Sequence, residues 1–476
     1  MLSKENQKTN QMEIVSLEDI IPADNLLRKI ENAVDFSKIY NFVENLYCLD
    51  NGRPSVDPVV LFKMVIIQHL YGLPSLRRTA EEVKLNIAYR WFLGYTLNEP
   101  TPHFSTISYN FKHRYTPETI DKIFYWILEE IAKAGYLSLE AVFIDSTHIK
   151  ANANMKKTIK KALPKAAKIY EEQLMQEINE DRESQGKKPF DDNNQNGNGS
   201  KTTKDISTTD PDSGVFHKGE HKRCFAYSAQ TACEKHGYIL DAIIVAGNIH
   251  DSVSFDSLYD RILDRYSNDI KIIAADAAYK TPWICKRIID ENIIPALPYK
   301  RPLGKKGYFR PSEYVYDEYY NCMLCPQNEI LSYATTNREG YKEFKSKGRI
   351  CEQCSEKYRC TANQKSQKTV MRHIWAKYIE IAEDWRHTKL FKEVYAQRKE
   401  TIERVFADAK EKYAMRFSPY RGLTQVTNWV RLKFAVMNLK KYAIHKWKNE
   451  FFSSLNIIFL RRSPRLLLQS GTSSTD

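Results

Sequence analysis

Three acidic residues stand where carboxylates could bind divalent metal ions. Asp145 and Asp276 each follow a short apolar run that predicts a buried strand, and Glu403 lies in a predicted helix. Open α/β sheets place their sites at the carboxyl ends of strands, so we expect the two aspartates to meet in the fold. Carboxylates suit two Mg²⁺ or Mn²⁺ ions, which activate a water or a 3′-hydroxyl and stabilise the leaving oxygen. The predicted chemistry is phosphodiester cleavage.

Other residues compete for these roles or could assist them. Asp251 ends a strand-turn segment, and Glu400 and Asp408 lie close to Glu403 on the predicted helix. A single Asp after a strand is more often a cap or turn residue, so the hypothesis depends on three carboxylates arriving together. Lys410 is two turns beyond Glu403 on the same helix face. A lysine there could contact phosphate while the glutamate binds metal.

Five of the nine cysteines fall within one short segment. Cys322 and Cys325 form one CxxC pair, Cys351 and Cys354 form a second, and Cys360 follows. Two such pairs are typical of tetrahedral Zn²⁺ sites in zinc ribbons. We therefore predict a structural zinc ion in a zinc-ribbon-like insertion at residues 308–369, held by four of the five thiols. The spare thiol is left open between Cys322 and Cys360, and buried free cysteines are the alternative.

The elements that would position these residues differ along the chain. Apolar residues spaced three and four apart predict an all-helical domain over residues 1–136. Two short helices around residues 76–93 and 105–114 carry basic side chains, which favours helix-turn-helix DNA binding over a plain helical bundle. A strand, a hairpin, a helix, a strand, another helix and strand, then the helix with Glu403, predict an α/β domain over residues 137–448. That order is ribonuclease-H-like, a mixed sheet flanked by helices.

Two segments interrupt this order, and a third closes the chain. Residues 155–215 are predicted to be a charged insertion, helical at first and mobile from residue 191, where Asn, Gly, Ser and Thr are frequent. The cysteine-rich segment is the second interruption. Residues 449–476 are basic and then rich in Ser and Thr, so we expect a partly disordered tail.

Bulk composition restricts the class of protein. The formal net charge of +13 favours a polyanionic partner, and double-stranded DNA is the leading candidate. Basic residues, Arg431 and Lys433 among them, alternate with aromatic ones after Glu403 and are expected to neutralise phosphate. The aromatics could stack on bases, although Trp429, Val430, Phe434 and Met437 fit a buried helical stripe better than a base-stacking surface. No apolar run is long enough to span a membrane, and no secretory signal is present, so we expect a cytoplasmic, nucleoid-associated protein.

At this point several motifs resemble one family. The segments are Phe143-Ile-Asp145-Ser-Thr-His-Ile-Lys-Ala-Asn-Ala-Asn154, Ser207-Thr-Thr-Asp-Pro-Asp-Ser-Gly214, Gly247-Asn-Ile-His-Asp-Ser252, Ala275-Asp276-Ala-Ala-Tyr279 and Thr401-Ile-Glu403-Arg-Val-Phe406. They are similar to those of bacterial insertion-sequence DDE transposases with an InsH-type N-terminal domain, over roughly residues 15–448. The resemblance implies that Asp145, Asp276 and Glu403 form the catalytic triad.

The resemblance also implies DNA-contacting residues. Tyr395, Arg398, Glu403 and Lys410 correspond to the family's Tyr-Arg-Glu-Lys motif. That motif normally has three residues between Arg and Glu, whereas four stand here, so Arg404 is an alternative to Arg398.

The activity that the resemblance implies is binding of terminal inverted repeats, DNA cleavage and strand transfer by a homodimer or larger assembly. A nuclease without strand transfer and a catalytically inactive DNA-binding regulator are the alternatives.

Overall fold

The computed structural model describes residues 14–48, 55–163, 170–190, 202–218, 222–300 and 305–462. The chain divides into two compact units. The helical unit comprises residues 1–137 and 406–476, and the sheet unit comprises residues 138–405. The predicted catalytic domain, residues 137–448, therefore contributes to both units.

The α-helices, in chain order, are α1 Leu17–Ile20, α2 Leu26–Glu31, α3 Lys38–Val43, α4 Pro58–Leu70, α5 Leu76–Leu85, α6 Ile87–Leu93, α7 Phe104–His113, α8 Pro117–Lys133, α9 Glu171–Ser184, α10 Asp251–Tyr266, α11 Pro282–Asp290, α12 Gly348–Glu352, α13 Lys357–Cys360, α14 Ala376–Arg386, α15 Lys389–Glu411 and α16 Leu423–Arg462. Short 3₁₀ helices cover Glu44–Leu46 and Pro311–Glu313.

The strands are β1 Ala141–Lys150, β2 Thr158–Leu163, β3 Thr202–Ser207, β4 Gly214–Lys218, β5 Lys222–Glu234, β6 Ile239–Ala246, β7 Ile272–Ala274, β8 Ile294–Ala296, β9 Val315–Asp317, β10 Cys322–Leu324, β11 Ile330–Thr336, β12 Tyr341–Lys345 and β13 Thr369–His373. The chain is therefore a mixed α/β protein with a helical N-terminal region, as the sequence predicts.

Local capping explains where the main helices of the helical unit begin. The Asp57 carboxylate accepts a hydrogen bond from the Val59 N–H at the start of α4, and Thr116 caps α8 from the position before Pro117. Both helices have proline at their first position. Proline is favourable there because it lacks the backbone N–H, which would have no partner within the helix at that position. Helix α16 packs against α2, α4 and α8. Trp429, Val430 and Phe434 are buried, which confirms that they belong to the core, and Met437 is half-buried.

The sheet unit is built on a six-stranded mixed sheet. Its order is β4-β5-β1-β7-β8, and β6 pairs with β5 alongside β4. Strand β1 is antiparallel to β5 and parallel to β7, which in turn is parallel to β8. The predicted β5–β6 hairpin is confirmed, and its turn contains Gly237 at a positive φ of 74°. Helix α10 packs on β5 and β6, and α14 packs on β8 and α11.

Two predictions about local structure were wrong. Strand β1 does not end at Asp145 but continues to Lys150, because β5 pairs with it along that whole length. Residues 158–163 form strand β2 rather than helix, and they pair with β3, which lies in the stretch predicted to be mobile. The helix that we expected there begins only at Glu171. Residues 191–201 of that stretch lie outside the described residues.

The cysteine-rich insertion contains a five-stranded antiparallel sheet of order β13-β12-β11-β10-β9 and the short helices α12 and α13. Helix α9 of the earlier insertion contacts this sheet. The Asp181 carboxylate accepts from the Thr336 hydroxyl at 2.6 Å and pairs with Lys342 at 2.5 Å, and Arg182 donates to the Thr336 carbonyl at 2.7 Å. The two interruptions of the α/β order therefore pack together.

The C-terminal segment differs in part from its prediction. Residues 449–462, expected within a partly disordered tail, continue helix α16 to Arg462. Residues 463–476 lie outside the described residues. Among the helices that the structure describes, none is long and apolar enough to cross a lipid bilayer.

Candidate active site

Asp145 lies on β1, and Asp276 follows the neighbouring parallel strand β7. The register of β1 and β7 pairs Ala141 with Ile272 and Phe143 with Ala274. Continuing that register by two residues places Asp145 beside Asp276, just beyond the carboxyl end of β7. Negative charge at Asp276 contributes to the raised pKa of Asp145, which is a second indication that the two carboxylates are close.

Asp145 is largely buried and has a cationic partner. Arg398 Nη2 donates to Asp145 Oδ2 at 2.6 Å, and the exposed fractions of the two side chains are 5% and 19%. The Ser146 N–H donates to Asp145 Oδ1 at 2.8 Å. Burial nevertheless raises the pKa of Asp145 to about 6, opposed by Arg398 and Ser146 and assisted by Asp276 and Asp251. The surrounding groups therefore do not fully stabilise the ionised form of Asp145, as expected of a carboxylate that binds a cation when one is present.

A buried hydrogen-bond chain leads to the third carboxylate near Asp145. Gln230, on β5, donates from Nε2 to Asp251 Oδ1 at 2.6 Å, and Tyr279 donates its hydroxyl to Gln230 Oε1. Both Gln230 and Tyr279 are fully buried. Burial, followed by the negative charges of Asp251, Asp145 and Asp276, raises the pKa of Tyr279 well above its usual value. The sequence analysis named Asp251 only as a competitor and missed Gln230 and Tyr279, although Tyr279 follows Asp276 by three residues.

Helix α15 presents the remaining predicted residues on different sides. Arg398 is buried against Asp145, whereas Glu403 and Arg404 are exposed. The step of five residues from Arg398 to Glu403 corresponds to a rotation of about 140° around an α-helix. Ile402, four positions after Arg398, takes the inward-facing position and is fully buried. The extra residue between Arg398 and Glu403 in the Tyr-Arg-Glu-Lys motif therefore turns Glu403 away from the buried side of α15 that carries Arg398.

Tyr395 lies one turn before Arg398 and is half-buried. The Arg398 guanidinium stands 5.8 Å from its ring centroid. Burial raises the pKa of Tyr395, Arg398 lowers it, and the charges of Asp276, Asp145 and Glu403 raise it further. Tyr395 is therefore close enough to all three predicted catalytic carboxylates for their charges to affect its pKa. Lys410 belongs to the helical unit and is half-buried.

The sites predicted to bind metal lie in two places. Asp145 lies on β1 of the six-stranded sheet and Asp276 just beyond β7, and four cysteines line one cavity of the insertion: Cys325, Cys351, Cys354 and Cys360. Cys322 is not among the residues lining that cavity. Within the described part of the chain, no three His, Cys, Asp or Glu side chains are already arranged to hold a metal ion. Binding at either place therefore requires side chains to move.

Two basic residues of the C-terminal segment are buried rather than available to DNA. Arg431 pairs with Asp121 at 2.5 Å, and Lys433 donates to the Tyr413 carbonyl. Burial lowers the pKa of Lys433 to about 7. The expectation that these side chains neutralise phosphate was wrong, because α16 is a core helix and both side chains lie on its inner surface.

The fold and the site define an α/β protein with a carboxylate-rich site on a mixed sheet. Two family models match the chain: a transposase domain (DUF772) over residues 15–113 and a transposase DDE domain over residues 324–443. Both matched models describe transposase domains, and together they support an insertion-sequence DDE transposase, a class of protein that acts on DNA. The DDE domain indicates a DNA-cleaving enzyme of a type that generally uses divalent metal ions.

The matched ranges contain Glu403 but neither Asp145 nor Asp276. The ion pair between Asp145 and Arg398, which lies within the matched DDE range, links Asp145 to that range, and the pairing of β1 with β7 relates Asp276 to Asp145. A comparison with curated proteins and one with solved structures found no match.

Proposed function

We propose that this protein binds the terminal inverted repeats of its insertion sequence and catalyses metal-dependent DNA cleavage and strand transfer. The observation that supports the proposal is the parallel pairing of β1 with β7 up to Phe143 and Ala274, because Asp145 and Asp276 each follow that pairing by two residues. The strand order, with a central β1 flanked by an antiparallel hairpin and two parallel strands, supports a ribonuclease-H-like domain. Such a domain offers carboxylates at one end of its parallel strands.

The carboxylates fit hard divalent cations. Asp145 is buried near Asp276 and Asp251, and burial, followed by the charges of these two carboxylates, raises its pKa despite the opposing Arg398. Two Mg²⁺ or Mn²⁺ ions would activate the attacking water or 3′-hydroxyl and stabilise the leaving oxygen. Asp145 and Asp276 would bind the metal ions, and release of Asp145 from Arg398 would free the Oδ2 atom for this role. Arg398 would then be available to a DNA phosphate.

The third carboxylate has two candidates. Glu403 is the triad residue by family resemblance, and it is exposed on α15. Asp251 contributes to the electrostatics of Asp145, and Gln230 holds it in place. We assign the role to Glu403, which would complete the metal site when α15 adjusts on DNA, and we keep Asp251 as the alternative. Tyr395, Arg404 and Lys410 are the accompanying candidates for DNA contact.

We propose that the helical unit recognises the DNA ends. Helices α5 and α7 pack against each other and expose Arg77, Arg78 and Lys112. These side chains could neutralise phosphates, in keeping with the net charge of +13. Joining two ends requires two active sites, so we propose a dimer or a larger assembly on DNA. A structural zinc ion in the cysteine-rich insertion is also proposed.

The test is cleavage of DNA carrying the ends that flank the gene, with Mg²⁺ or Mn²⁺. Asp145→Ala and Asp276→Ala should abolish cleavage while end binding persists. Glu403→Gln should do the same, whereas Glu400→Gln, an exposed neighbour on the same helix, should remain active. If Glu403→Gln cleaves normally and Asp251→Asn does not, the third ligand is Asp251. Asp264→Asn, exposed on the helix that carries Asp251, is its control.

The same assay separates the rival functions. Joined product as well as cleaved ends would support strand transfer, and cleavage alone would identify a nuclease. A wild-type protein that binds the ends but cuts none of them with either ion would be a DNA-binding regulator.

A further inference from the structure

Four thiols of the cysteine-rich insertion surround one small cavity. Cys325, Cys351, Cys354 and Cys360 line a space of about 30 Å³. That volume suffices for one water-sized particle and not for an organic ligand. The four residues come from separated parts of the chain, since Cys360 lies 35 positions after Cys325. Only the tertiary fold brings them to the same cavity.

The backbone elements that carry these thiols are short and locally fixed. Cys325 lies in the turn between β10 and β11, where its carbonyl accepts from the Asn328 N–H at 2.8 Å. Cys351 lies on α12, Cys354 follows that helix, and Cys360 ends α13. The two helices are each only about one turn long. Helices this short have little intrinsic stability, so tertiary contacts must hold them in place.

The surroundings suit sulfur atoms that carry negative charge. The Gln327 N–H donates to Cys325 Sγ at 3.4 Å, and the Tyr314 hydroxyl lies 3.4 Å from Cys360 Sγ. Lys357 and Lys368 line the same cavity, and Lys368 Nζ donates to the Cys360 carbonyl at 2.9 Å. Glu329 and Glu356 also line it. Four thiolates around a Zn²⁺ ion carry a net charge of −2. The two lysines offset the two glutamates of the lining, so the Gln327 N–H and the Tyr314 hydroxyl are the groups that favour charged sulfur atoms.

Cys322 is excluded by the direction of its strand. It precedes Met323 on β10, and successive side chains of a strand point to opposite faces. Met323 lies in the small apolar core of the insertion with Leu331 and Phe344. Cys322 therefore points away from that core. Burial, followed by the negative charge of Asp317, raises the pKa of its thiol. Neither the position of the Cys322 side chain nor the raised pKa of its thiol favours Cys322 as a zinc ligand.

We propose that Cys325, Cys351, Cys354 and Cys360 together bind one structural Zn²⁺ ion, and that Cys322 is not a ligand. Four thiols lose their protons to solvent as four Zn–S bonds form, and no position is left for water. The ion would fasten α12 and α13 to the β10–β11 turn. The insertion has a small buried core, which is formed by Tyr314, Met323, Leu331, Phe344 and Val370. The zinc ion would add stability that so small a core does not supply.

The first experiment measures zinc in the purified full chain by mass spectrometry, in an Asp276→Ala background so that the carboxylate site contributes little. One zinc per chain is expected, unchanged in Cys322→Ser and lost in Cys351→Ser/Cys354→Ser. Zinc absent from the parent protein, or retained by the double variant, would overturn the proposal. So would loss of zinc in Cys322→Ser with retention in Cys360→Ser.

A second experiment avoids the risk that the double variant fails to fold. The parent chain is alkylated with iodoacetamide before and after a chelator removes zinc, and the modified cysteines are identified by peptide mass spectrometry. Cys325, Cys351, Cys354 and Cys360 should gain reactivity together on chelation, while Cys322 stays unreactive. Equal reactivity of the four with and without chelator would contradict the proposal. Both readouts are independent of DNA cleavage, so they stand apart from the test of the catalytic site.

Discussion

Arg398 is the counter-ion of Asp145, although 253 residues separate them in sequence, and the contact joins α15 to the central strand of the sheet. Replacing Arg398 with Met leaves a largely buried carboxylate without its cation. Breaking such a pair typically costs about 3 kcal/mol, so we expect a loss of that order in the free energy of unfolding. Urea denaturation without divalent ions measures it.

The control for this prediction is the double variant Arg398→Met/Asp145→Asn. It should recover part of the lost stability because neither charge remains unpaired. If the single and double variants are equally unstable, the ion pair does not couple the two residues and the prediction fails.

Asp145 should also make the metal-free protein sensitive to pH. Its folded pKa of about 6 lies above the ordinary 3.8, so the folded state holds the proton more tightly than the unfolded state. The stability from this group is complete below pH 3.8 and is lost as pH rises through 6. Relative to wild type, Asp145→Asn should gain about 3 kcal/mol between pH 4 and pH 7.

Thermal or urea unfolding of the two proteins across that pH range, with a chelator present, is the measurement. Mn²⁺ at neutral pH should reverse the trend for wild type only, since the ion binds the ionised carboxylate. A constant difference between the two proteins across the range would show that the pKa of Asp145 is not raised.

Tyr279 should stabilise the fold through its hydroxyl. In Tyr279→Phe the Oε1 atom of Gln230 loses its donor in a fully buried position, which costs about 1–3 kcal/mol. Tyr259→Phe is the matched control, because Tyr259 is equally buried but its hydroxyl lies 3.5 Å from its acceptor, the Arg287 carbonyl. The shift in thermal midpoint should be clearly larger for Tyr279→Phe. Equal shifts would mean that the Gln230 contact contributes nothing specific.

Lys433 should destabilise the helical unit at neutral and acidic pH. Burial lowers its folded pKa to about 7 from 10.5, so the unfolded state holds the proton more tightly. Stability therefore rises with pH between 7 and 10.5. Lys433→Met should raise the free energy of unfolding by roughly 2 kcal/mol at pH 7, with a smaller gain at pH 10. A variant less stable than wild type at pH 7 would show that the bond to the Tyr413 carbonyl outweighs burial of the charge.

Periodicity alone was enough to predict most of the sheet. The β5–β6 hairpin and the strands before Asp276 and around Ile294 are marked by apolar runs and by Gly237 in the turn. Strand β2 was missed because residues 158–163 contain two lysines and no apolar alternation, and only pairing with β3 makes them a strand. Such long-range pairing leaves little local signal in the sequence.

The candidate site was predictable only in part. Asp145 and Asp276 each follow a strand, which is a local signal. Arg398 pairs with Asp145 through tertiary contact, and Gln230 lies inside an apolar strand where no local rule singles it out. The helical spacing of Arg398 and Glu403 was visible in the sequence, but its consequence for exposure required knowing which side of α15 faces the sheet.

The contact between α9 and the β11–β12 part of the insertion bears on how this chain can vary. Thr336 and Lys342 both bind Asp181, and Arg182 binds the Thr336 carbonyl. The two insertions are far apart in sequence, yet polar groups of each are paired with polar groups of the other. A related chain that lost one of them would leave the Asp181 carboxylate or its partners unmatched. We therefore expect the two segments to be inherited, shortened or exchanged as a pair.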